Sequence, residues 1–189
     1  GNPNSRVGRV TWCAKELSVP YEMVTVEYQD AKKPEYLAIN PMGKVPGFAD
    51  GDLKLFESLA INLYIAKKYG TGEIYPTSIE DEARVLQWTL WVATEIEPAA
   101  LAALLFSIGY SKDEAAAKAA PEKIKPAVMV LERHLKDHPW LVGNRFSVAD
   151  LNVACVLSSA KYAKLDFSYA PNVEAWLERC LSRPARNAA

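Results

Sequence analysis

Residues 40–46 read Asn-Pro-Met-Gly-Lys-Val-Pro, and the pair Glu57-Ser58 follows shortly after them at the start of a helix pattern. A proline at the start of a strand leaves part of the strand edge unpaired, so the backbone at Val45-Pro46 can hydrogen-bond an extended, peptide-like ligand. A helix that starts at Ser58 offers N–H groups and a hydroxyl to a carboxylate, and Glu57 can accept an ammonium group. The stretch therefore predicts an α/β fold that holds a small anionic peptide.

Each of these features also has a purely structural explanation. Val45-Pro46 could be an ordinary trans proline, but the turn and helix start that follow favour a ligand edge and make the bond a candidate for the cis isomer. Glu57-Ser58 is at minimum a helix N-cap, which alone contributes about 1 kcal/mol. Lys44, beside the strand edge, suits either a carboxylate partner or solvent.

A second candidate lies at the start of the first predicted helix. Apolar residues recur at helical spacing between residues 5 and 17, so this helix is expected to begin at Ser5. The Ser5 hydroxyl could serve as an N-cap, or it could stabilise a ligand thiolate by a hydrogen bond that lowers the thiol pKa. The spacing leaves both roles open. Cys13 lies two turns into the same helix, where a buried and inert thiol is expected.

The order of the remaining elements defines two domains. Strands are predicted over 21–28, 45–49 and 53–56, and helices over 33–38 and 58–69. Asp50-Gly51 lies between the last two strands and favours a type I′ hairpin. These elements predict an α/β domain over residues 1–70, and the Gly-rich segment 71–78 is expected to be a linker.

Every pattern beyond the linker is helical. The first long helix is expected to start at a capping box, Thr77-x-x-Glu80, and to bend at Pro98. A second long helix should end near His138, with its start left open by Pro121 and Pro126. A further helix should start at the N-cap, acidic N3 residue and hydrophobic staple around Ser147–Asp150, and a last one should run from Pro171 to Leu181. Residues 79–189 are therefore predicted to form an all-helical bundle.

Composition excludes several classes of protein. The chain has 189 residues and a formal net charge of −1, so its charge favours neither nucleic acid nor an anionic membrane. No apolar run approaches the ~18 residues of a membrane helix. Cys13, Cys155 and Cys180 are widely spaced, which argues against a disulfide framework and a dithiol motif and favours a reducing cytoplasm. His134 and His138 lack a third ligand, so no metal is expected.

Trp88 and Trp91 lie on the helix that follows the linker. Aromatic residues at such spacing usually belong to a core, but a bundle helix that faces a neighbouring domain could also line an apolar cleft for a second substrate. The sequence leaves the two roles open.

Three motifs in the same order and spacing resemble the cytosolic glutathione transferases over nearly the whole chain. They are Asn40-Pro41-x-Gly43-Lys44-Val45-Pro46, then Asp50-Gly51-x-Leu53-x-Leu55-x-Glu57-Ser58-x-Ala60-Ile61, and Gly143-x-x-Phe146-Ser147-Val148-Ala149-Asp150. The context of Ser5 looks like bacterial members of the serine- or cysteine-type classes. The resemblance implies a thioredoxin-like N-terminal domain, an all-helical C-terminal domain and a homodimer. The family also has a short apolar strand just before this serine, and we expect residues upstream of Gly1 to supply it.

The resemblance also implies a function and a role for each site residue. Val45 would pair with the cysteinyl backbone of glutathione, Lys44 would hold its glycyl end, and Glu57 and Ser58 its γ-glutamyl end. Ser5 matches the position of the activating residue. The implied reaction joins the glutathione thiolate to a small apolar electrophile in the cytoplasm, with glutathione as co-substrate and no metal. The alternatives are a glutathione-dependent isomerase or dehalogenase, and a non-catalytic binding or scaffold protein.

Overall fold

The structure is a computed structural model that describes residues 5–27 and 29–187. The chain divides into two compact units. The first holds the described residues up to Thr71 together with those from Pro184 onward, and the second is Gly72–Arg183. The C-terminal residues therefore pack with the N-terminal unit.

The first unit combines helices with a hairpin. Its elements are α1 (Arg6–Glu16), a 3₁₀ turn (Asp30–Lys32), α2 (Pro34–Leu37), β1 (Gly47–Asp50), β2 (Leu53–Phe56) and α3 (Ser58–Tyr69). The strands pair antiparallel, with Gly47 opposite Phe56 and Asp50 opposite Leu53. In the described residues this hairpin is the whole sheet.

The strand predicted over 21–28 is wrong for residues 21–27, which form no ladder, and Tyr28 lies outside the described residues. The Val- and Thr-rich composition favours a strand, but a strand also needs a neighbour to pair its backbone, and the hairpin pairs only with itself in the described part of the chain. The hairpin turn also differs from the expected type I′. Gly51 has a φ of +58° and Asp52 has no positive φ, which is the pattern of type II′.

A polar cluster at Asp50 ties the hairpin turn to the end of α3. The Oδ2 atom of Asp50 accepts hydrogen bonds from the Tyr64 hydroxyl at 2.8 Å and the Lys68 ammonium at 2.5 Å, and from the Tyr69 hydroxyl at 3.3 Å. These donors, Lys68 first, lower the pKa of the Asp50 carboxyl. The cluster fixes the far end of the hairpin, opposite the end where the candidate site lies.

The second unit is a bundle of helices. Its elements are α4 (Ile79–Trp91), a π-helical turn (Val92–Ile96), α5 (Glu97–Ser107), α6 (Glu114–Asp137), α7 (Val148–Tyr162) and α8 (Pro171–Leu181). All residues of α7 from Val148 to Ala160 are buried, so α7 is the centre of the bundle. The last described helix of the chain, α9 (Pro184–Asn187), belongs to the first unit.

The helix starts and bends predicted in the bundle are close to those in the structure, with small differences in position. The cap of α4 is Ser78 rather than Thr77, and its side chain accepts a hydrogen bond from the Asp81 N–H. The helix is interrupted by the π turn just before Pro98, where a bend was predicted. Both Pro121 and Pro126 lie inside α6, so neither proline ends the helix.

The capping box predicted at Ser147–Asp150 is confirmed and extends further than the motif itself. Asp150 is fully buried. Its Oδ2 accepts from the Ser147 N–H at 2.9 Å and hydroxyl at 2.7 Å, and its Oδ1 accepts from the Leu141 N–H and the Trp176 indole N–H, both at 2.9 Å. Burial raises the pKa of the Asp150 carboxyl, and these hydrogen bonds oppose that effect. One carboxylate therefore joins α7, α8 and the preceding loop.

One described helical run, Ile79–Ser107, has the length and apolar composition of a membrane span, and a third of its most apolar window is buried. Core helices of water-soluble bundles satisfy the same criteria, so the run is weak evidence for a membrane.

Candidate functional site

The loop of residues 40–46 is held in place by one buried side chain. The Asn40 amide nitrogen donates to the Lys44 carbonyl at 2.6 Å and to the Pro46 carbonyl at 3.1 Å, while its Oδ1 accepts from the Met42 N–H at 3.0 Å. Asn40 is only 4% exposed. The Tyr36 hydroxyl donates a further bond to the Lys44 carbonyl at 2.7 Å. The loop therefore has a fixed backbone, although Pro41, Met42, Lys44 and Val45 are exposed.

The Val45-Pro46 peptide is cis, as predicted. The strand begins at Gly47 rather than at residue 45, because the ladder with β2 starts at the pair Gly47–Phe56. The peptide groups of Val45 consequently lie outside the ladder. Val45 is 45% exposed, so this segment is an accessible edge.

Glu57 follows β2 directly and has a strained backbone. Its φ is +69° and its ψ is +108°, a conformation that non-glycine residues avoid at a cost of about 1–3 kcal/mol. Glu57, rather than Ser58, is the N-cap of α3, and Ser58 is the first helical residue, buried at 2% exposure. The first turn of α3 holds no acidic side chain that would offset the positive helix end. This helix start therefore suits an anionic ligand.

The structure places Glu57 and Val45 at the same end of the hairpin. Gly47 lies opposite Phe56 in the antiparallel ladder, so the residues just before Gly47 lie beside the residues just after Phe56. The accessible edge at Val45 and the start of α3 at Ser58 consequently border one region of the surface, as the sequence predicted.

Ser5 is the N-cap of α1. Its φ of −85° and ψ of 168° are extended, and its Oγ accepts a hydrogen bond from the Gly8 N–H at 3.2 Å. The structural role that the sequence allowed is therefore present. A hydroxyl has a donor as well as acceptor positions, so this bond is compatible with donation to a thiolate.

Helices α1 and α3 pack against each other, and two contacts that follow one another in the same order along both helices show that they run in the same direction. The Cys13 thiol donates to the Asn62 carbonyl at 3.6 Å, and further along both helices the side chain of Leu17 lies against Gly70. At a rise of 1.5 Å per residue, Ser5 lies about 12 Å before Cys13 and Ser58 about 6 Å before Asn62. The two helix starts therefore face the same end of the unit.

That arrangement has the dimensions of a short peptide. Packed helices are typically about 8–10 Å apart, so with an offset of about 6 Å the helix starts at Ser5 and Ser58 should be roughly 10 Å apart, which an extended tripeptide spans. The edge at Val45 borders the Ser58 end. The candidate site thus combines an anion-binding helix start, a strand edge and a capping hydroxyl.

Trp88 and Trp91 have a clear packing role. Their rings meet edge-on at 5.0 Å, and Trp88 also meets the His134 ring edge-on at 5.0 Å. His134 stacks on His138 at 4.4 Å. Burial lowers the pKa of His134. Their place in a cleft for a second substrate remains a prediction.

The three cysteines are poorly placed to act as nucleophiles. Cys13, Cys155 and Cys180 are all buried, and burial raises the pKa of the Cys180 thiol. A buried thiol with a raised pKa is a poor nucleophile. In residues 5–27 and 29–187, no three His, Cys, Asp or Glu side chains are arranged to hold a metal ion.

Asn40 and Tyr36 were missed as individual site residues by the sequence reasoning. Asn-Pro is a turn signal, and an Asn side chain that binds the backbone two residues on is a known device of such turns, so Asn40 was accessible to prediction. Tyr36 was not, because its partner is found only once the loop is folded.

Comparisons with known proteins match both parts of the chain. Residues 1–67 match the glutathione S-transferase N-terminal domain, and residues 89–184 match the glutathione S-transferase C-terminal domain. The two family models together agree with the predicted fold of a thioredoxin-like domain followed by a helical domain.

Relatives of similar length share about a third of the sequence. A probable glutathione S-transferase of Oryza sativa subsp. japonica is 34% identical over 96% of this chain and 89% of its own length. A glutathione S-transferase of Hyoscyamus muticus is 36% identical over 95% of this chain and 90% of its own length. Because these relatives are plant proteins, the predicted resemblance to bacterial members is not confirmed.

Solved structures agree in fold. Poplar glutathione transferase F1 superimposes with a TM-score of 0.85 at 30% identity and covers 98% of this chain and 92% of its own. The theta class glutathione S-transferase of Xanthomonas axonopodis pv. citri, solved with glutathione bound, gives a TM-score of 0.88 at 27% identity and covers 99% of this chain and 93% of its own. The chain belongs to the glutathione S-transferase family.

Proposed function

We propose that the protein joins the thiolate of glutathione to a small apolar electrophile. The observation that carries this proposal is the strained Glu57 at the start of α3, beside the Val45 edge and facing the same end as Ser5. Backbone strain of this kind clusters at active sites and ligand-binding positions. Family membership supports glutathione as the co-substrate.

Each part of glutathione has a matching group. The γ-glutamyl carboxylate would bind the start of α3 at Ser58, and its ammonium group would bind Glu57. The cysteinyl backbone would pair with Val45 next to Pro46. The glycyl carboxylate would meet the exposed Lys44 side chain. These roles follow the charge of each group and its place around the hairpin end.

Ser5 would activate the thiol. A hydrogen bond from its hydroxyl and the positive end of α1 both favour the thiolate. Lowering the thiol pKa from about 8.5–9 to about 6.5 changes a few per cent of thiolate at pH 7 into a majority. Holding the electrophile beside the thiolate supplies the rest of the rate.

The test is a thiolate difference spectrum of the protein with glutathione between pH 5 and 9. We expect a saturable thiolate band with an apparent pKa well below that of glutathione in water, and loss of that band in Ser5→Ala. The matched control is Ser78→Ala, because Ser78 caps α4 with the same 3.2 Å bond from a backbone N–H. A band that survives Ser5→Ala unchanged would rule out this role for Ser5.

The three alternatives differ in whether glutathione is consumed, halide is released or a thiolate forms. A glutathione-dependent isomerase would leave the glutathione concentration constant, and a dehalogenase would release halide. A non-catalytic scaffold would bind without a thiolate band. Measuring glutathione, halide and product in the same reaction separates the three. Trp88 and Trp91 are proposed to contact the electrophile. The proposed domains are residues 1–70 and 79–189, joined by the linker 71–78. The proposed location of the protein is the cytoplasm.

We also propose a homodimer through the outer face of α4. Ile79, Leu86 and Leu90 follow one another at helical spacing and are 77%, 41% and 65% exposed. Such a row of large apolar side chains on one helix is typical of a protein interface. We expect Leu90→Glu to yield a monomer in analytical ultracentrifugation. Val130→Glu is the control, because Val130 is an exposed aliphatic residue on α6 at 41% exposure.

A further inference from the structure

The last described residues of the chain return to the N-terminal unit. The bundle ends at Arg183, and α9 then packs against α1, the helix that Ser5 caps. The function proposed above does not use the contact between α9 and α1. Ser5, the proposed activating residue, is nevertheless the N-cap of α1.

The contact centres on an arginine and a tryptophan. The Arg186 guanidinium lies 5.4 Å from the centre of the Trp12 ring. Trp12 is 2% exposed, and its indole N–H donates to the Glu16 carboxylate at 3.1 Å. A guanidinium over an indole face is an attractive cation–π pair. The Arg186 side chain therefore contacts a ring that is itself buried and hydrogen-bonded.

Trp12 and Ser5 lie on the same face of α1. They are seven residues apart, which is close to two turns, so Trp12 lies about 10 Å from Ser5 directly along the helix. On the side toward α3, Cys13 reaches the Asn62 carbonyl. The helix is thus held by α3 through Cys13 and by α9 through Trp12.

We propose that Arg186 is a positioning residue for Ser5. By holding Trp12, Arg186 fixes the axial position of α1 and so the distance from the Ser5 hydroxyl to the glutathione sulfur. This inference rests on the proposed function of Ser5. A hydrogen bond to a thiolate depends steeply on distance and angle, so small shifts of α1 weaken it.

The experiment compares three variants with the wild-type chain. Arg186→Ala removes the cation, Arg186→Lys keeps it, and Arg183→Ala removes a similar pair in the other unit, where the guanidinium lies 4.0 Å from the Phe146 ring centre. The readouts are the apparent pKa of the bound glutathione thiol, the melting temperature and amide hydrogen exchange in α1.

We expect Arg186→Ala to raise the thiol pKa by about half a unit and to speed exchange in α1, with Arg186→Lys close to the wild type. Arg183→Ala should lower the melting temperature and leave the thiol pKa unchanged. If Arg186→Ala lowers only the melting temperature, the contact is structural and the inference fails.

Failure of the proposed function is distinguishable from failure of the inference. If the wild-type protein itself shows no thiolate band, Ser5 activation is wrong. Amide hydrogen exchange then tests separately whether Arg186 holds α1. Unchanged exchange in Arg186→Ala would overturn this contact as well, and faster exchange confined to α1 would support it.

Discussion

Replacing Asp150 by Asn tests how much of the bundle depends on one buried carboxylate. Asp150 accepts four hydrogen bonds, two at each oxygen, from Ser147, Leu141 and Trp176. Burial raises the pKa of this carboxyl, but all four groups that contact it act as donors, so the ionised form is the one that they satisfy. Asparagine has nearly the same shape but replaces one oxygen by a donor.

The magnitude follows from the geometry. If the Asn NH₂ group faces Leu141 and Trp176, two N–H donors lose their acceptor, but if it faces Ser147 only the Ser147 N–H does, because the Ser147 hydroxyl can rotate and accept from the NH₂ group. The second orientation is the cheaper one, and a buried donor left without a partner costs about 1–3 kcal/mol, so Asp150→Asn should cost about 1–3 kcal/mol. For a chain of this size that corresponds to a fall in melting temperature of about 3–10 °C.

The assay is thermal and urea unfolding of both proteins at pH 7. The control is Asp166→Asn, since Asp166 accepts two bonds from Ser168 in an exposed loop and should tolerate the change with little effect. A melting temperature of Asp150→Asn within about 2 °C of the wild type, or equal to that of the control, would refute this count of unsatisfied donors.

Three further perturbations address the pH response and the site. Burial lowers the pKa of His134, so below about pH 6.5 the unfolded chain binds more protons than the folded chain and stability falls on acidification. Between pH 7 and 5 the melting temperature should therefore fall less in His134→Phe than in the wild type. An equal dependence of melting temperature on pH in the two proteins would contradict this. Glu57→Gly should relieve the positive φ and stabilise the fold by about 1 kcal/mol while weakening glutathione binding, measured by urea unfolding and calorimetry; unchanged affinity would count against the proposed ammonium contact. Asn40→Ala should cost about 1–3 kcal/mol and weaken glutathione binding as well, because the Pro46 carbonyl loses the Asn40 donor whereas the Lys44 carbonyl keeps the Tyr36 hydroxyl. Full affinity would show that the loop keeps its shape without Asn40.

Signals that act over one turn were the most reliable part of the sequence. Ser147 and Asp150 are three residues apart, and their capping box forms as predicted because both partners belong to one turn. Pro171 likewise opens the last bundle helix at its first position. The same local reasoning misplaced the cap of α4 by one residue, because the capping-box pattern of Thr77 and Glu80 was followed although serine is the better N-cap and Ser78 caps the helix.

Signals that need a distant partner were less reliable. The segment 21–27 has the composition of a strand and forms none, because pairing depends on a neighbour that composition does not supply. Asp50-Gly51 was expected to form a type I′ turn, but Asp50 pairs with Leu53, so Gly51 and Asp52 are the turn residues and their φ values have the pattern of type II′, which takes glycine at its first position.

The sequence by itself determined the family, the order of the elements and the residue types of the site, since motifs and caps are local and their chemistry is carried by the side chains. Only the tertiary structure decided that the two helix starts at Ser5 and Ser58 face the same end, that Asn40 fixes the loop beside them, and that Arg186 returns to α1. Those relations join residues far apart in the chain. They arise because parallel packing of α1 and α3, rather than any local preference, sets which surfaces meet.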